Sequence, residues 1–237
     1  MKYIFLVAGK GTRLQPLTYN CPKSMFKLDK ETTLIKRMIT KIKRFDAKAD
    51  IVVVTGFMHK EFEKELQEEA TFVYNPFYSC TNSIASLWFA RDHMKDVDNV
   101  VLIDGDIVMS DSLIENVVCK YVEKPFVLLD SSIKRNGDYN VEVSNDKVLV
   151  MSKDLTQYFG EYAGVTKLDK KTSLLMLNAI ERMVEEGHYD QWYENALVQM
   201  IFNDDFSLYY EDISNYEWTE VDHVDDLIYA KKIHINK

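Results

Sequence analysis

The stretch of sequence that decides the fold lies near the amino terminus, where residues 2–24 read KYIFLVAGKGTRLQPLTYNCPKS. The apolar run within residues 2–7 predicts a buried β-strand. The glycines that follow allow backbone N–H groups to approach a base or a phosphate closely. Arg13 and Lys23 bring positive charge to the same loop. We therefore expect this loop to bind a nucleoside triphosphate.

Two familiar phosphate-binding motifs do not fit this loop. The P-loop requires the pattern G-x-x-x-x-G-K-[ST], which the spacing of Gly9 and Gly11 does not provide. The dinucleotide fingerprint requires a third small residue where this chain has Leu14. Two glycines after a strand also occur in ordinary turns, but the added Arg13 and Lys23 favour a nucleotide-binding loop.

Strand and helix patterns alternate along the first half of the chain. Runs rich in Val, Ile and Leu predict further strands at 51–55, 71–74, 100–103 and 126–129. Apolar residues at helical spacing, such as Leu34, Met38 and Ile42, predict helices between them. The alternation predicts an α/β fold with a mixed, mostly parallel central sheet flanked by helices. Ligands of such sheets bind beyond the carboxyl ends of the strands.

The second half of the chain has a different pattern. Residues 139–143 and 147–151 predict a small β-hairpin, and residues 160–168 predict another strand. Further elements are predicted as helices at 174–186 and 192–202, a strand near 207–210 and a last helix from Val224. The hairpin would belong to the region that binds a second substrate.

We expect a single domain over residues 1–237, because no repeat or low-complexity linker interrupts the chain. Its nucleotide-binding half would cover residues 1–130, approximately, and its acceptor-binding half the remaining residues 131–237. The division follows the change from alternating strands and helices to the hairpin pattern.

Composition excludes several classes of protein. The 29 Lys and Arg residues against 38 Asp and Glu residues give a formal net charge of −9, which argues against nucleic-acid binding and a polybasic membrane anchor. Cys21, Cys80 and Cys119 lie far apart, which favours reduced thiols over disulfides or a zinc site. The amino-terminal apolar run is too short for a signal peptide or a membrane span. We therefore expect a cytoplasmic protein that binds neither nucleic acid nor membrane.

A pair of carboxylates follows another strongly apolar run. Asp104 and Asp106 flank Gly105 directly after residues 100–103, so we expect them at the sheet edge where ligands bind. A Mg²⁺ ion on a triphosphate needs one or two carboxylate ligands and keeps water at its other positions. The alternative is that these residues cap the next helix, although Asp111 is the more natural cap.

The amino-terminal pattern Leu-x-Ala-Gly-x-Gly-Thr-Arg-Leu-x-Pro-Leu-Thr, followed by Pro-Lys, resembles the signature of nucleotidyltransferases that couple a nucleoside triphosphate to a phosphorylated acceptor. Residues 74–78, 81–84 and 102–106 extend the resemblance and are most similar to the small bacterial CTP:phosphocholine cytidylyltransferases. The resemblance covers nearly the whole chain. It implies a GT-A-like, Rossmann-like fold and cytidylyl transfer.

The resemblance also implies roles for single residues. Asp106 and Asp222 match the metal ligands of the family, which implies Mg²⁺ as a cofactor. Arg13 and Lys23 would stabilise the α-phosphate and the departing pyrophosphate and, with the two metal ligands, make up the catalytic set. The expected nucleotide-binding residues are Leu6, Ala8, Gly9, Gly11, Thr12, Arg13, Lys23, Asn82, Ser83 and Asp104.

Recognition of the acceptor is marked less clearly in the sequence. Lys153 lies where related enzymes carry a lysine for the acceptor phosphate, and a solvated hairpin lysine is the alternative. Aromatic faces attract a quaternary ammonium group and a carboxylate adds charge, so Asp138-Tyr139 and the segment 192–194 are candidates for a cage around choline. The same aromatic spacing is common in protein cores. The expected acceptor-binding residues are Lys153, Tyr139, Trp192, Tyr193 and Glu194.

The resemblance, together with the placement of these charges, implies transfer of CMP from CTP to a small phosphorylated amine such as phosphocholine, which gives CDP-choline and pyrophosphate. Phosphoethanolamine and 2-aminoethylphosphonate are alternative acceptors. Three other interpretations stay open: a sugar-1-phosphate uridylyl- or thymidylyltransferase, a glycosyltransferase suggested only by the Asp-x-Asp pattern, and a nucleotide-binding regulator without turnover. A homodimer is also open.

Overall fold

The computed structural model describes residues 1–133, 139–204 and 206–235. Its strands are β1 (Lys2–Leu6), β2 (Asp50–Thr55), β3 (Thr71–Tyr74), β4 (Asn99–Asp104), β5 (Ile107–Met109), β6 (Phe126–Asp130), β7 (Asn140–Ser144), β8 (Lys147–Ser152), β9 (Gly160–Asp169), β10 (Tyr209–Asp212) and β11 (Trp218–Glu220). Its α-helices are α1 (Leu34–Phe45), α2 (His59–Leu66), α3 (Ser83–Phe89), α4 (Asp111–Leu113, continued by a π-helical turn over Ile114–Val118), α5 (Lys170–Glu185), α6 (Glu194–Asn203) and α7 (Val224–Ile235). Among these, no helix combines the length and apolar character needed to cross a bilayer.

Within the described ranges, nine strands form one sheet in the order β3-β2-β1-β4-β9-β6-β10-β8-β7. The expected mixed α/β sheet flanked by helices is confirmed. Parallel pairing, expected for most of the sheet, joins β3, β2, β1 and β4 and also joins β6 to β10. Strand β9 runs antiparallel to β4, β6 and β7, and the predicted hairpin β7–β8 is also antiparallel. The two-residue link between β7 and β8 is too short for a helical crossover, so these two strands can pair only in the antiparallel sense.

The central strands are buried on both faces, because neighbouring residues along a strand point to opposite sides of the sheet. Ile4 and Leu102 belong to an apolar cluster that includes residues of α3, α5 and α6. Phe5 and Ile103 belong to a second cluster that includes residues of α1, α2 and α4. The unbroken apolar runs in the sequence are therefore explained by helices on both faces.

The pairing register brings the ends of the central strands to one edge of the sheet. Leu6 of β1 lies opposite Asp104 of β4 and also opposite Val54 of β2. Gly105 N continues the pairing by donating to Leu6 O at 3.1 Å. The glycine-rich loop after β1 and the Asp-Gly-Asp loop after β4 therefore leave the sheet side by side, at the edge where α/β sheets bind ligands.

A second, small sheet was not predicted. Strand β5 pairs antiparallel with β11, with Glu220 opposite Ile107. Each of these strands is only 3 residues long, which is too short to show a period in the sequence. Their pairing carries the segment that follows β11 to the same sheet edge as Asp106, since Val221 N donates to Asp106 O at 2.9 Å.

The amino-terminal cap of α4 is Ser110, not Asp111 as expected from the sequence. The Ser110 hydroxyl accepts a hydrogen bond from Leu113 N at 3.4 Å. Asp111 is the first residue of the helix, and its carboxylate accepts from Lys41 Nζ at 2.5 Å and lies 3.5 Å from Arg37 Nη2. Both cations belong to α1, so contacts with another helix draw the carboxylate away from the capping position.

A buried lysine on β9 gives a test of the fold. Lys167 Nζ donates to the backbone carbonyls of Val117, Val118 and Lys120 at 2.9, 2.8 and 2.5 Å. Lys167→Met leaves these carbonyls without that donor, so we expect the free energy of unfolding in urea to fall by about 1–3 kcal/mol. Lys171→Met, at the exposed start of α5, should change it by less than about 0.5 kcal/mol. Equal losses in both variants would contradict the assignment.

Candidate active site

A cavity of about 330 Å³ opens at the carboxyl edge of β1 and β4. All residues expected to bind the nucleotide line it, namely Leu6, Ala8, Gly9, Gly11, Thr12, Arg13, Lys23, Asn82, Ser83 and Asp104. Further lining residues, to which the sequence assigned no role, are Tyr78, Thr81, Ser86, Tyr162, Gly164 and Glu220. The structure thus brings the nucleotide set together, and the roles of its members stay predictions.

Gly11 shapes the loop that follows β1. Its φ of +61° lies in the left-handed region, which a residue without a side chain adopts at little cost. Its carbonyl accepts a hydrogen bond from Thr18 Oγ1 at 2.7 Å. A Cβ atom at this position would lie 2.7 Å from Lys23 Cγ. Gly11 therefore permits both the turn of the loop and the close passage of the Lys23 side chain.

Lys23 lies between two carboxylates at the mouth of this loop. Its Nζ atom donates to Asp106 Oδ2 at 2.7 Å and also to Asp222 Oδ1. The other oxygen of Asp222 is 2.8 Å from Arg13 Nη1. The four residues expected to be catalytic therefore converge, although they come from three separate parts of the chain.

Burial and charge act in opposite directions in this cluster. The Lys23 side chain is only 10% exposed, and burial alone would lower its pKa. Asp106 and Asp222 outweigh burial and raise the pKa of Lys23 above its ordinary value, so the ammonium group is charged at neutral pH. Burial raises the pKa of Asp222, and the positive charges of Lys23 and Arg13 oppose that rise.

Three carboxylates in the cluster form a set of oxygen donors. One oxygen from each of Asp106, Glu220 and Asp222 lies within 4.8 Å of the other two. Carboxylate oxygens are the ligands that Mg²⁺ prefers, and the Lys23 ammonium group already places positive charge between two of them. The residues present therefore fit a divalent cation. Glu220 was not predicted as a ligand. Its i, i+2 spacing from Asp222 is a signal that could have found it, because alternate side chains of an extended segment point to the same side.

A hydrogen-bonded connection joins the two ends of the cavity. Asn82 N donates to Tyr189 O at 3.0 Å, and Tyr193 N donates to Ser83 Oγ at 2.9 Å. Asn82 also caps α3, because its side chain accepts from Ser83 N. The loop that carries Asn82 and Ser83, which are expected to bind the nucleotide, is thus tied to the segment at the start of α6, from which expected acceptor residues come.

Two more carboxyl groups, those of Asp104 and Glu194, line the cavity. Burial raises the pKa of both, to about 7 for Glu194, and the negative charge of Glu194 adds to the rise at Asp104. Glu194 is 5% exposed, and its Oε2 atom has no hydrogen-bond partner among the residues that the structure describes. The structure places Asp104 at the cavity, not at a helix cap.

The aromatic residues expected around the acceptor separate into two groups. Tyr139 and Trp192 line the cavity, with their ring centroids 5.3 Å apart and their planes inclined by 46°. Tyr193, in contrast, is fully buried, and its hydroxyl group is hydrogen-bonded to that of Tyr162. The prediction that Tyr193 contacts the acceptor is therefore corrected: consecutive residues at a helix start point in different directions, and Tyr193 supports Tyr162 from the core side.

Lys153 lies beside these aromatic residues, in an adjoining cavity of about 490 Å³. Its Nζ atom is 3.3 Å from the centroid of the Trp192 ring. The residues lining the adjoining cavity are Asn82, Tyr139, Ser152, Lys153, Asp154, Asp190, Gln191, Trp192 and Asn195. Lys153, Tyr139 and Trp192 are therefore brought together, whereas Asp138 lies outside the described residues.

Solved structures share the architecture of this chain. The CTP:phosphocholine cytidylyltransferase from Streptococcus pneumoniae has a TM-score of 0.76 at 23% identity, with 100% of this chain and 99% of that chain covered. The inositol-1-phosphate CTP transferase from T. maritima has a TM-score of 0.75 at 17% identity, with 99% of this chain and 96% of that chain covered. At these identities, the similarity establishes the fold.

Sequence comparison identifies the family. The choline-phosphate cytidylyltransferase of Streptococcus pneumoniae is 25% identical in an alignment 230 residues long that covers 95% of each chain. The model of the nucleotidyl transferase family matches residues 2–138, more than half of the 237 residues. The chain therefore belongs to the nucleotidyl transferase family.

Proposed function

We propose that the protein transfers CMP from CTP to a small phosphorylated amine, such as phosphocholine, and releases pyrophosphate. The observation that carries this proposal is that the cavity offers different binding groups at its two ends. Arg13 and Lys23 lie at one end, as a triphosphate requires, while Glu194 lies with Tyr139 and Trp192 at the other, as a cationic head group requires. The cytidylyltransferase among the relatives supports the choice of reaction.

The proposed reaction needs positioning and charge neutralisation more than proton transfer. An oxygen of the acceptor phosphate forms a bond to the α-phosphorus of CTP, while the bond from that phosphorus to the bridging oxygen of the pyrophosphate breaks. The acceptor phosphate is already ionised near neutral pH, so no general base is required. Arg13 and Lys23 neutralise negative charge on the α-phosphate and on the departing pyrophosphate, which is the main catalytic term in such transfers.

Asp106, Glu220 and Asp222 would hold Mg²⁺ at the triphosphate. The ion supplies further neutralisation of the phosphate oxygens when it is bound. The Lys23 ammonium group lies between two of these carboxylates, those of Asp106 and Asp222. We infer that the Lys23 ammonium group leaves this bridging position for the phosphate oxygens once the nucleotide is in place, because a divalent cation and an ammonium group repel each other.

Backbone groups of Leu6, Ala8 and Gly9 would read the edge of the base, together with Asn82 and Ser83. All five residues line the cavity and lie at the ends of β1 and at the start of α3. At close quarters, backbone donors and acceptors can discriminate bases by their hydrogen-bonding pattern. The preference for cytosine is part of the proposal and is supported by the choline-phosphate cytidylyltransferase among the relatives.

The reaction itself tests the proposal. We expect Mg²⁺-dependent pyrophosphate release from CTP, and not from UTP, dTTP or ATP, with phosphocholine, phosphoethanolamine or 2-aminoethylphosphonate as the acceptor. Release only from UTP or dTTP with glucose 1-phosphate would instead identify a sugar-1-phosphate enzyme. CTP binding in calorimetry without release from any acceptor would favour a regulator that has lost turnover.

Removal of the bridging ammonium group should affect stability and turnover together. We expect Lys23→Met to lower kcat by at least about 100-fold, because one phosphate-neutralising group is lost. In the absence of divalent cations, the free energy of unfolding should fall by about 3 kcal/mol, since Asp106 and Asp222 lose their shared partner. Lys30→Met, at an exposed position in the following loop, should match the wild type in both measurements. A wild-type kcat for Lys23→Met would rule out its proposed role.

The metal site has a test that does not depend on turnover. Asp222→Asn keeps the side-chain shape and removes one anionic ligand, so Mn²⁺ titration of the CTP-loaded protein, followed by electron paramagnetic resonance, should show affinity lowered by at least about 10-fold. The matched control is Asp225→Asn, in the exposed first turn of α7. Equal Mn²⁺ affinity in the two variants would remove Asp222 from the metal site.

A further inference from the structure

The aromatic corner at the acceptor end already holds a cation. The Nζ atom of Lys153 lies 3.3 Å from the centroid of the Trp192 ring, and the ring of Tyr139 stands 5.3 Å from that of Trp192. Ring faces carry partial negative charge, so an ammonium group at this distance is attracted to the indole. One face of the Trp192 ring is therefore covered by a side chain of the protein itself, that of Lys153.

The Tyr139 side of this corner is held in place by hydrogen bonds. The hydroxyl group of Tyr139 donates to Asn195 Oδ1, and Asn195 Nδ2 donates to Gln191 Oε1 at 2.8 Å. Tyr139 is 6% exposed, so its ring has little freedom to turn. Lys153, in contrast, follows the end of β8 on a long side chain with several rotatable bonds. The lysine is thus the part of the corner that can move.

One ring face accommodates one cation, because two ammonium groups brought to the same face repel each other. An acceptor whose own ammonium group takes the face of Trp192 must therefore displace Lys153. Displacement leaves Lys153 without its aromatic partner, and an acceptor that offers a new partner to the ammonium group offsets that loss. A phosphate group is such a partner, since it forms charge-assisted hydrogen bonds with an ammonium group.

We propose that Lys153 and the ammonium group of the acceptor exchange at the face of Trp192, so that the site selects molecules that carry an ammonium and a phosphate together. This inference rests on the proposed function and names the substrate class that it uses: small zwitterions with both groups on one short chain. A free amine displaces Lys153 but carries no phosphate group with which the lysine can form new hydrogen bonds. The exchange makes Lys153 a specificity-determining residue in addition to a ligand for phosphate.

Binding of two matched ligands tests the exchange. In wild-type protein, calorimetric titration should give a much lower affinity for choline than for phosphocholine. Lys153→Ala clears the ring face and removes the phosphate partner, so we expect choline to bind about 3–10-fold more tightly than to the wild type and phosphocholine to bind more weakly. Ethanolamine and phosphoethanolamine form a second matched pair. In Lys153→Ala, we expect ethanolamine to bind more tightly and phosphoethanolamine to bind more weakly than in the wild type.

The affinities for choline and phosphocholine are expected to change in opposite directions in Lys153→Ala. This difference distinguishes the exchange from a role of Lys153 in phosphate contact or packing alone. A lysine that only contacts phosphate would leave choline and ethanolamine binding unchanged in Lys153→Ala, and a loss of packing would weaken both members of each pair. Either result overturns the exchange, as does absence of detectable amine binding to the variant. Lys147→Ala, at the other end of β8, should leave all four affinities unchanged.

Trp192 fluorescence gives an independent readout and separates the two proposals. The emission of Trp192 is obtained by subtracting the spectrum of the Trp192→Phe variant. Choline should change this emission less in the wild-type protein than in Lys153→Ala. These titrations contain no CTP. Pyrophosphate release that fails with every acceptor would therefore refute the proposed reaction, whereas the choline titrations decide the exchange at Trp192 by themselves.

Discussion

The ammonium group of Lys23, held between Asp106 and Asp222, is the interaction on which the site depends. The three residues follow different elements, and without a shared cation the two carboxylates would repel each other in a partly buried setting where water screens charge poorly. The small sheet of β5 and β11 is needed because it carries Asp222 to this point. Lys23 thus has two roles: it holds together segments that are distant in the chain, and it supplies positive charge that the proposed reaction requires.

The convergence of the expected nucleotide-binding residues on one cavity could be predicted because they lie where strands end. An apolar run that stops at a glycine or an aspartate marks the carboxyl edge of a sheet, and the register of Leu6 with Asp104 places both loops there. Glu220 and the pairing of β11 with β5 could not be predicted. They depend on contacts between distant segments, and strands this short leave no period in the sequence.

The acceptor end shows a second limit of sequence reasoning. All three residues of the segment 192–194 were expected to contact the acceptor, but their side chains point in different directions. Trp192 and Glu194 line the cavity, whereas Tyr193 packs into the core. Asp111 shows the same limit, because cations on α1 determine where its carboxylate lies. Side-chain direction at a helix start depends on tertiary packing, which local spacing does not encode. The division into two halves of one domain stays a prediction.

The hydrogen bonds from Asn82 to Tyr189 and from Tyr193 to Ser83 have a consequence for divergence within the family. They use the backbone groups of Tyr189 and Tyr193, so the path of the proposed acceptor segment is coupled to the loop that we propose faces the base. A lineage that acquires a new acceptor can exchange the side chain of Trp192 without disturbing base selection, but an insertion or a shift of the segment would alter both. With the proposed roles, acceptor preference in this architecture can change by substitution, whereas changes in the length of this segment are constrained.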